Sequence, residues 1–208
     1  MNINIKTVRI FVLDALLIEV GLMISSLGTS LFYSAETGSS AMATFCDGLH
    51  LLIGTSYGNA NMAANVVFLI ALLFLDWKLI NIGTLLCVFT IGPWQNVFMP
   101  ILAPLNIASM SYVARVAFSA VGAAFMGLGL GLYMSRERGF GALEGVVKYI
   151  NKKFGFPVNV TKIAQDVILT GLGVLLGAKW GIGTIVGIFL IGPILSRAND
   201  FFKEKIKY

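Results

Sequence analysis

The sequence predicts an all-α polytopic membrane protein with six transmembrane helices, arranged as two inverted three-helix repeats. Three observations predict this fold: apolar stretches long enough to span a bilayer, an internal repeat, and the placement of the basic residues. Of the 208 residues, 57% are hydrophobic and 12% are charged, whereas a soluble domain is roughly a quarter charged. The composition therefore excludes a soluble domain.

Six apolar stretches approach the length of about 20 residues that a helix needs to cross about 30 Å of hydrocarbon. These predicted spans are residues 8–33, 58–76, 79–101, 107–134, 158–177 and 181–200. The first carries Asp14 and Glu19 and is longer than the apolar part of a signal peptide, so we expect it to be retained as a span.

The second observation is a duplicated segment. Residues 82–93 and 182–193 share the frame Ile-Gly-Thr-x4-Phe-x-Ile-Gly-Pro at a shift of 100 residues. Further identities, such as Gly21 with Gly122, follow at a shift of 101 residues. We therefore interpret the chain as a tandem duplication.

The repeats comprise residues 1–102 and 103–208. Because each would cross the membrane three times, the second would lie upside down relative to the first, an architecture that recurs in transporters. Loop charges support the inversion. Residues 34–57 contain no Lys or Arg, whereas the equivalent segment of the second repeat contains Lys148 and Lys152.

The basic residues also predict the orientation. If the spans alternate in direction, all Lys and Arg residues except Arg115 and Lys179 lie on one side of the membrane. By the positive-inside rule, both termini would then be cytoplasmic. The net charge of +5 is explained by this topology, and we expect the lipid bilayer, not nucleic acid, to be the partner of these cations.

Between the first two spans of each repeat lies a segment too polar and too rich in glycine to cross a membrane. Each segment has apolar residues at the i, i+3, i+4 and i+7 positions that form one face of a helix. These are Met42, Phe45, Cys46 and Leu49 in the first repeat and Leu143, Val146, Val147 and Ile150 in the second. We expect a short amphipathic helix in each repeat, at the interface or folded against the bundle.

Polar residues within or near the spans are the candidate functional groups, because a charge at the centre of a span costs about 2.5–3.5 kcal/mol on insertion scales. Glu19 lies about 16 Å along its helix at about 1.5 Å per residue, near the bilayer centre. It is a candidate coupling residue, with a structural carboxyl as the alternative. Asp47 and His50 form a candidate proton-sensing pair, with polar loop residues as the alternative.

Asn65 and Asp166 are equivalent by the repeat, and each lies near the middle of the central helix of its repeat. A two-fold axis in the membrane plane would bring them towards one central substrate site. The alternative for Asp166 is an ion pair with Lys162, four residues earlier on the same helical face.

Asp14 and Arg115 are also equivalent by the repeat. Inversion places equivalent positions at equal depths from opposite surfaces, which argues against an ion pair between them. We expect Arg115 to face an anion or Asp47, and Asp14 to be wetted near the cytoplasmic edge.

Two Gly-Pro pairs lie midway along the third and sixth spans: Gly92-Pro93 and Gly192-Pro193. Proline removes a backbone N–H and crowds the preceding turn, so we expect both helices to kink or break there. Transporters place substrates beside such breaks. An aromatic wall and hydrogen-bonding groups would be supplied by the three residues after the first break, Trp94, Gln95 and Asn96.

The chain resembles the YczE/YyaS/YitT-type bacterial integral membrane protein family. The resemblance is carried by short motifs: Gly38-Ser39-Ser40, Asp47-Gly48-Leu49, Gly54-Thr55-Ser56-Tyr57-Gly58, Asn65, and Gly83-Thr84 to Gly92. It implies an integral protein of the bacterial plasma membrane and a transport or export function, without indicating a ligand. Many relatives have an acidic residue where this chain has Gln95-Asn96, which argues against carboxylate coupling at that position.

The sequence thus favours a small-molecule secondary transporter or exporter, with proton coupling through Glu19 or Asp166 as one option and a homodimer as another. The alternatives are a substrate-binding membrane subunit of a vitamin-uptake system of the energy-coupling factor type, and a non-transporting accessory protein. We expect no enzyme activity, cofactor or metal, because Cys46, Cys87 and the single histidine, His50, form no catalytic or ligand constellation.

Overall fold

The computed structural model describes residues 5–206, apart from the side chains of residues 5–7 and 159. Within this range the regular secondary structure is entirely helical. Eight α-helices follow one another: α1 (Ile5–Ser34), α2 (Ala41–Ile53), α3 (Tyr57–Asp76), α4 (Ile82–Leu102), α5 (Tyr112–Ser135), α6 (Ala142–Phe154), α7 (Val158–Leu175) and α8 (Ile182–Lys205).

Five of these helices, α1, α3, α4, α5 and α8, are long and apolar enough to cross a membrane. The prediction of an all-α polytopic membrane protein is therefore confirmed at this level. The sequence also predicts a span at residues 158–177, but α7 is not one of the five. Its 18 residues include Lys162 and Asp166.

Two spans begin later than the sequence predicts, because capping side chains fix their first turns. Asn81 and Thr84 form a capping box, so α4 begins at Ile82 rather than at residue 79. Ser111 accepts a hydrogen bond from the first turn of α5, which begins at Tyr112 rather than at residue 107. Capping side chains satisfy backbone N–H groups that have no partner within the helix.

The helices α2 and α6 are the two short helices that the apolar periodicity predicts. Each ends at a glycine in the left-handed region, Gly54 with φ 70° and Gly155 with φ 73°, a conformation that favours glycine. The apolar face of α2 packs against Tyr57 and Ala64 of α3, and α6 buries Leu143 of its own apolar face. Both helices are folded against the bundle.

At the centre of the molecule lie α1 and α5, which are equivalent by the sequence repeat. A Cβ atom added at Gly21 would lie 2.7 Å from the carbonyl oxygen of Gly129, and one added at Gly122 would lie 2.7 Å from that of Gly28. The contacting residue numbers rise along α1 as they fall along α5, so the two helices are antiparallel. Gly21 is equivalent to Gly122, and Gly28 is equivalent to Gly129. Replacing each residue by its repeat equivalent therefore turns the Gly21–Gly129 contact into the Gly122–Gly28 contact, so the pair of helices is symmetric.

Other contacts between helices also have a counterpart formed by the equivalent helices of the two repeats. The helix α4 packs on α1 as α8 packs on α5, and α2 packs on α7 as α6 packs on α3. The backbone N–H of Gly83, at the start of α4, donates to Arg138 O after α5 at 2.8 Å. The backbone N–H of Gly183, at the start of α8, likewise donates to Thr37 O after α1 at 2.8 Å.

One extensive helix contact has no counterpart. The helices α3 and α4 pack along each other, whereas the equivalent helices α7 and α8 share at most marginal contacts in the described part of the chain. Gly92 of α4 meets Gly58 of α3, but a Cβ atom added at the equivalent Gly192 of α8 would find open space. The repeat therefore has one closed interface and one open interface.

The helices α4 and α8 continue where the sequence predicts a break at Gly92-Pro93 and Gly192-Pro193. Pro93 lies inside α4 and Pro193 inside α8. A proline removes only its own N–H donor, and neighbouring helices can supply hydrogen bonds to the backbone groups nearby. In α4, Ser26 Oγ of α1 donates to Ile91 O at 3.2 Å.

Candidate functional site

Three amide side chains form a buried cluster between α3 and α4. Asn61 Nδ2 donates to Gln95 Oε1 at 2.9 Å, and Asn65 Nδ2 donates to Asn61 Oδ1 at 2.6 Å. The three residues are 6%, 1% and 7% exposed, in the order Asn61, Gln95, Asn65. Buried amides need such partners, because an unpaired one costs about 1–3 kcal/mol. We call these three residues the amide cluster.

A close helix crossing positions the amide cluster. Gly58 and Gly92 bring the backbones of α3 and α4 together so closely that a Cβ atom at either position would collide with the carbonyl oxygen of the other. Beside this crossing, Asn96 Nδ2 donates to Asn59 Oδ1 at 2.8 Å at the exposed edge. Sequence reasoning identifies Gln95 and Asn96 but misses Asn61, which the i, i+4 spacing to Asn65 could have indicated.

Glu19 of α1 is bound to the same part of α4. Glu19 Oε1 accepts a hydrogen bond from Trp94 Nε1 at 2.6 Å, and the Trp94 ring stacks on Phe98 with 5.8 Å between centroids. Glu19 Oε2 is buried and has no hydrogen-bond partner in the described part of the chain. Trp94 and Gln95, adjacent in sequence, therefore connect α4 to α1 and to α3.

The structure does not bring Asn65 and Asp166 together. Asp166 Oδ1 pairs with Lys162 Nζ at 2.9 Å, and both side chains are about 40% exposed. This is the alternative that the sequence leaves open for Asp166. The main packing partners of α7 are α2 and α6, not α3, so Asn65 and Asp166 do not line one central site in this structure.

Asp14 and Arg115 also lie apart, as the inversion argument predicts. Asp14 is only 5% exposed, with ion-pair distances of 2.8 Å to Arg138 Nε and 3.5 Å to Arg136 Nη1. Asp14 thus borders a surface depression but is largely covered, and not openly wetted as expected, because the loop after α5 places two guanidinium groups over its carboxylate.

Arg115 binds the end of α1 and not Asp47. Its Nε donates to Ala35 O at 2.7 Å and its Nη2 donates to Glu36 O at 2.6 Å. Glu36 in turn pairs with Lys179 at 2.6 Å. Asp14 and Arg115 thus each tie an end of one central helix to the loop after the other.

Asp47 and His50 lie on α2, near the end of α1, with separate hydrogen-bond partners. His50 Nδ1 is hydrogen-bonded to Thr55 O, and Asp47 Oδ2 accepts from the backbone N–H of Lys179 at 3.4 Å. Burial raises the pKa of Asp47 above its ordinary value, and hydrogen bonds from Lys179 and Tyr33 and the charge of His50 oppose that rise.

Two surface depressions lie near the ends of α1 and do not border the amide cluster. One, of about 410 Å³, includes Asp14, Asn81 and Arg138 in its lining. The other, of about 260 Å³, includes Tyr33 and Glu36. In the described part of the chain, no group of three or more His, Cys, Asp or Glu side chains is arranged to hold a metal ion.

Comparisons with known proteins place the chain among bacterial membrane proteins. Residues 12–200 match the model of a family described as a family of unknown function, DUF6198. An uncharacterized protein of Haemophilus influenzae is 25% identical over 84% of this chain and 78% of that protein. No solved structure matches the chain.

Two relatives from Bacillus subtilis are membrane proteins by name. The UPF0750 membrane protein YpjC is 25% identical over 98% of this chain and 66% of its own length. The uncharacterized membrane protein YczE is 27% identical over 84% of this chain and 80% of its own length. These similarities confirm the resemblance to the YczE-type family.

Proposed function

The chain belongs to the DUF6198 family of unknown function, and within that family we propose that it is a small-molecule secondary transporter or exporter of the bacterial plasma membrane. The proposal includes six spans, two inverted repeats and cytoplasmic termini. Asn65, Trp94, Gln95 and Asn96 would belong to the substrate site, and Glu19 would couple transport to protons.

The observation that carries this proposal is the difference between two equivalent helix interfaces. The α3–α4 interface is closed around the amide cluster, while α7 and α8 are apart. Inverted-repeat transporters alternate access by rocking one repeat against the other. If the two repeats exchanged their packing, α7 and α8 would close while α3 and α4 opened, which would expose the amide cluster from the opposite side.

The antiparallel pair α1 and α5 suits the axis of such a motion. Its glycine contacts are related to each other by the repeat. The packing of α1 on α5 would therefore be unchanged when the two repeats exchange their conformations. Asp14 with Arg138, and Arg115 with Glu36, would act at the two ends of this axis.

Disulfide cross-linking in membrane vesicles tests the proposal without knowledge of the substrate. In a Cys46→Ala/Cys87→Ala background, one variant carries Asn59→Cys and Asn96→Cys across the closed interface, and a second carries Val160→Cys and Ser196→Cys at the equivalent positions of the open interface. Mild oxidation is followed by maleimide-polyethylene glycol, which shifts the gel position of chains with unreacted thiols.

We expect the first pair to cross-link quickly within one chain and the second pair to cross-link more slowly but to a majority. The second pair reacts only if α7 and α8 approach each other during the motion. If it stays reduced while the first pair is fully oxidised, the bundle is static, and a non-transporting accessory role replaces the transporter. A product of doubled mass reveals contact between two chains and is scored separately.

A further inference from the structure

We propose that the transported substrate is a cation, and that its positive group, such as an ammonium, binds Glu19 Oε2 beside the Trp94 ring. This inference rests on the proposed transport function and specifies its cargo. The site combines the Glu19 carboxylate of α1 with the Trp94 ring of α4, and Trp94 precedes Gln95 of the amide cluster in sequence.

The geometry of Glu19 leaves one carboxylate oxygen for a ligand, which would reach it when this part of the bundle opens. Oε1 is fixed by Trp94 Nε1 at 2.6 Å, which orients the carboxyl group, whereas Oε2 is buried and has no partner in the described residues. A buried polar atom without a partner is costly, and a buried charge without one is more so. A cation at Oε2 would provide both the hydrogen-bond donor and the opposite charge.

Within the described residues, α4 and α5, the two helices that pack on α1, supply no cation that pairs with Glu19. Between Ile82 and Leu102, α4 contains no Asp, Glu, Lys, Arg or His, and α5 contains one charged residue, Arg115. Arg115 is bound to the end of α1 by Ala35 O and Glu36 O.

One other charged group near this part of the bundle, Glu144 of α6, acts electrostatically on Cys87 and Tyr133 and has the same sign of charge as Glu19. Asp14 is paired with Arg138. Cys87 of α4 and Tyr133 of α5 pack with Ile18 of α1 and are neutral groups of a buried apolar cluster. Among the described residues Glu19 forms no ion pair, so the site carries a local excess of negative charge when Glu19 is ionised.

The N–H edge of the Trp94 ring faces Glu19 and the ring stacks on Phe98, so an organic cation would contact the opposite face of the ring. Trp is the aromatic side chain with the strongest attraction for ammonium groups, worth about 0.5–1 kcal/mol at exposed sites and about 2 when desolvated. An anion would meet the Glu19 carboxylate in a low-dielectric environment and would be repelled.

Fluorescence of Trp94 provides a direct test on the full-length protein in lipid nanodiscs. The chain has three tryptophans, and Trp77 and Trp180 are 66% and 71% exposed. A Trp77→Phe/Trp180→Phe variant therefore leaves Trp94 as the single reporter. The probes are benzylammonium and benzyl alcohol, which have closely similar shapes but differ in charge.

We expect benzylammonium to change Trp94 emission with at least tenfold higher affinity than benzyl alcohol. Glu19→Gln keeps an oxygen acceptor for Trp94 Nε1 and should lower benzylammonium affinity about tenfold, leaving benzyl alcohol unchanged. Asp166→Asn, which removes a carboxylate already paired with Lys162, is the matched control and should change neither affinity.

Equal affinity for the two probes would overturn the cation site, and this comparison does not depend on the folding of any Glu19 variant. Unchanged benzylammonium binding by Glu19→Gln would overturn it as well. The failures are distinguishable. If both cysteine pairs cross-link but the two probes bind equally, the protein is a transporter whose substrate is not a cation. If benzylammonium is preferred but the second cysteine pair does not cross-link, the cation site is kept and the transport function is rejected.

Discussion

The α3–α4 and α7–α8 interfaces come from equivalent segments of one duplicated sequence, yet only the first is closed. At the closed interface, Gly58 meets Gly92 and buried amides bond across the helices. At the open interface, a Cβ atom added at Gly192 would meet nothing within 4 Å, and Phe189 is 70% exposed. The glycine is therefore not sufficient for closure, and the side chains around it decide the packing.

The equivalent polar positions explain how the interfaces can differ. Asn61 and Asn65 of α3 correspond to Lys162 and Asp166 of α7. Neutral amides can be buried once their hydrogen bonds are made, whereas burying an ion pair carries a desolvation cost that often exceeds its Coulombic gain. The charged pair therefore favours an α7 face that stays accessible, and it makes the second interface the harder one to close.

Gly92→Leu should have the largest effect on this comparison. Its side chain would collide with the backbone of Gly58, which cannot move aside as a flexible side chain would. We expect a loss of about 3 kcal/mol or more in the free energy of unfolding, the upper range for overpacking. Titration with SDS, followed by circular dichroism, measures this loss.

Gly192→Leu is the matched control on the open interface. Since a Cβ atom at Gly192 meets nothing within 4 Å, we expect a change within about 0.5 kcal/mol. Comparable destabilisation by both substitutions would mean that α7 and α8 are packed in the membrane, which contradicts the open interface.

Asp14→Asn should have the next largest effect, because it leaves two guanidinium groups without their carboxylate. Breaking a buried ion pair costs about 3–5 kcal/mol. Arg138 is 35% exposed, so we expect about 2–3 kcal/mol in the same SDS titration. Asp166→Asn breaks a half-exposed pair and should cost at most about 1 kcal/mol. Equal costs would show that Lys162 and Asp166 are desolvated in the membrane.

Much of the fold follows from the sequence because hydrophobic length and periodicity dominate in a membrane. The predicted spans at 8–33 and 58–76 differ from α1 and α3 by at most three residues at either end. The starts of α4 and α5 are harder to predict, since they depend on the capping side chains of Asn81 and Ser111. Apolar periodicity does not indicate where a helix is capped.

The candidate site could be predicted only in part. The sequence indicates Trp94 and Gln95 by their position after a Gly-Pro pair, but α4 is continuous where a helix break is predicted. The repeat indicates Asn65, yet the partner of Asn65 is Asn61 and not the equivalent Asp166. Repeat symmetry predicts which residues correspond, whereas side-chain chemistry decides whether corresponding interfaces close.

Gln95→Leu tests whether the amide cluster stabilises the closed interface. The substitution leaves Asn61 Nδ2 without its acceptor at a buried position, so we expect a loss of about 1–2 kcal/mol. Asn96→Leu removes an exposed bond to Asn59 and should cost less than about 0.5 kcal/mol. The SDS titration distinguishes the two, and a larger loss for Asn96→Leu would place the stabilising contact at the rim.

The smallest effects concern Asp47 and Lys148, which occupy equivalent positions on α2 and α6, outside the five apolar spans. Burial raises the pKa of Asp47, and partial desolvation lowers the pKa of Lys148, whose exposed side chain lies over the Phe140 ring. For Asp47, the raised folded-state pKa means that stability is lost as pH rises through that value. For Lys148, the lowered value means that stability is regained as pH rises through it.

Thermal melting in detergent between pH 4 and 10 should therefore show opposite slopes. Relative to Asp47→Asn, the wild-type protein should become less stable from acidic to neutral pH, because an ionised carboxylate is being desolvated. Relative to Lys148→Gln, it should become more stable in the alkaline range, where Lys148 loses its proton. Slopes of the same sign would show that Asp47 and Lys148 do not lie in equivalent surroundings. The correspondence between the two repeats would then not extend to α2 and α6.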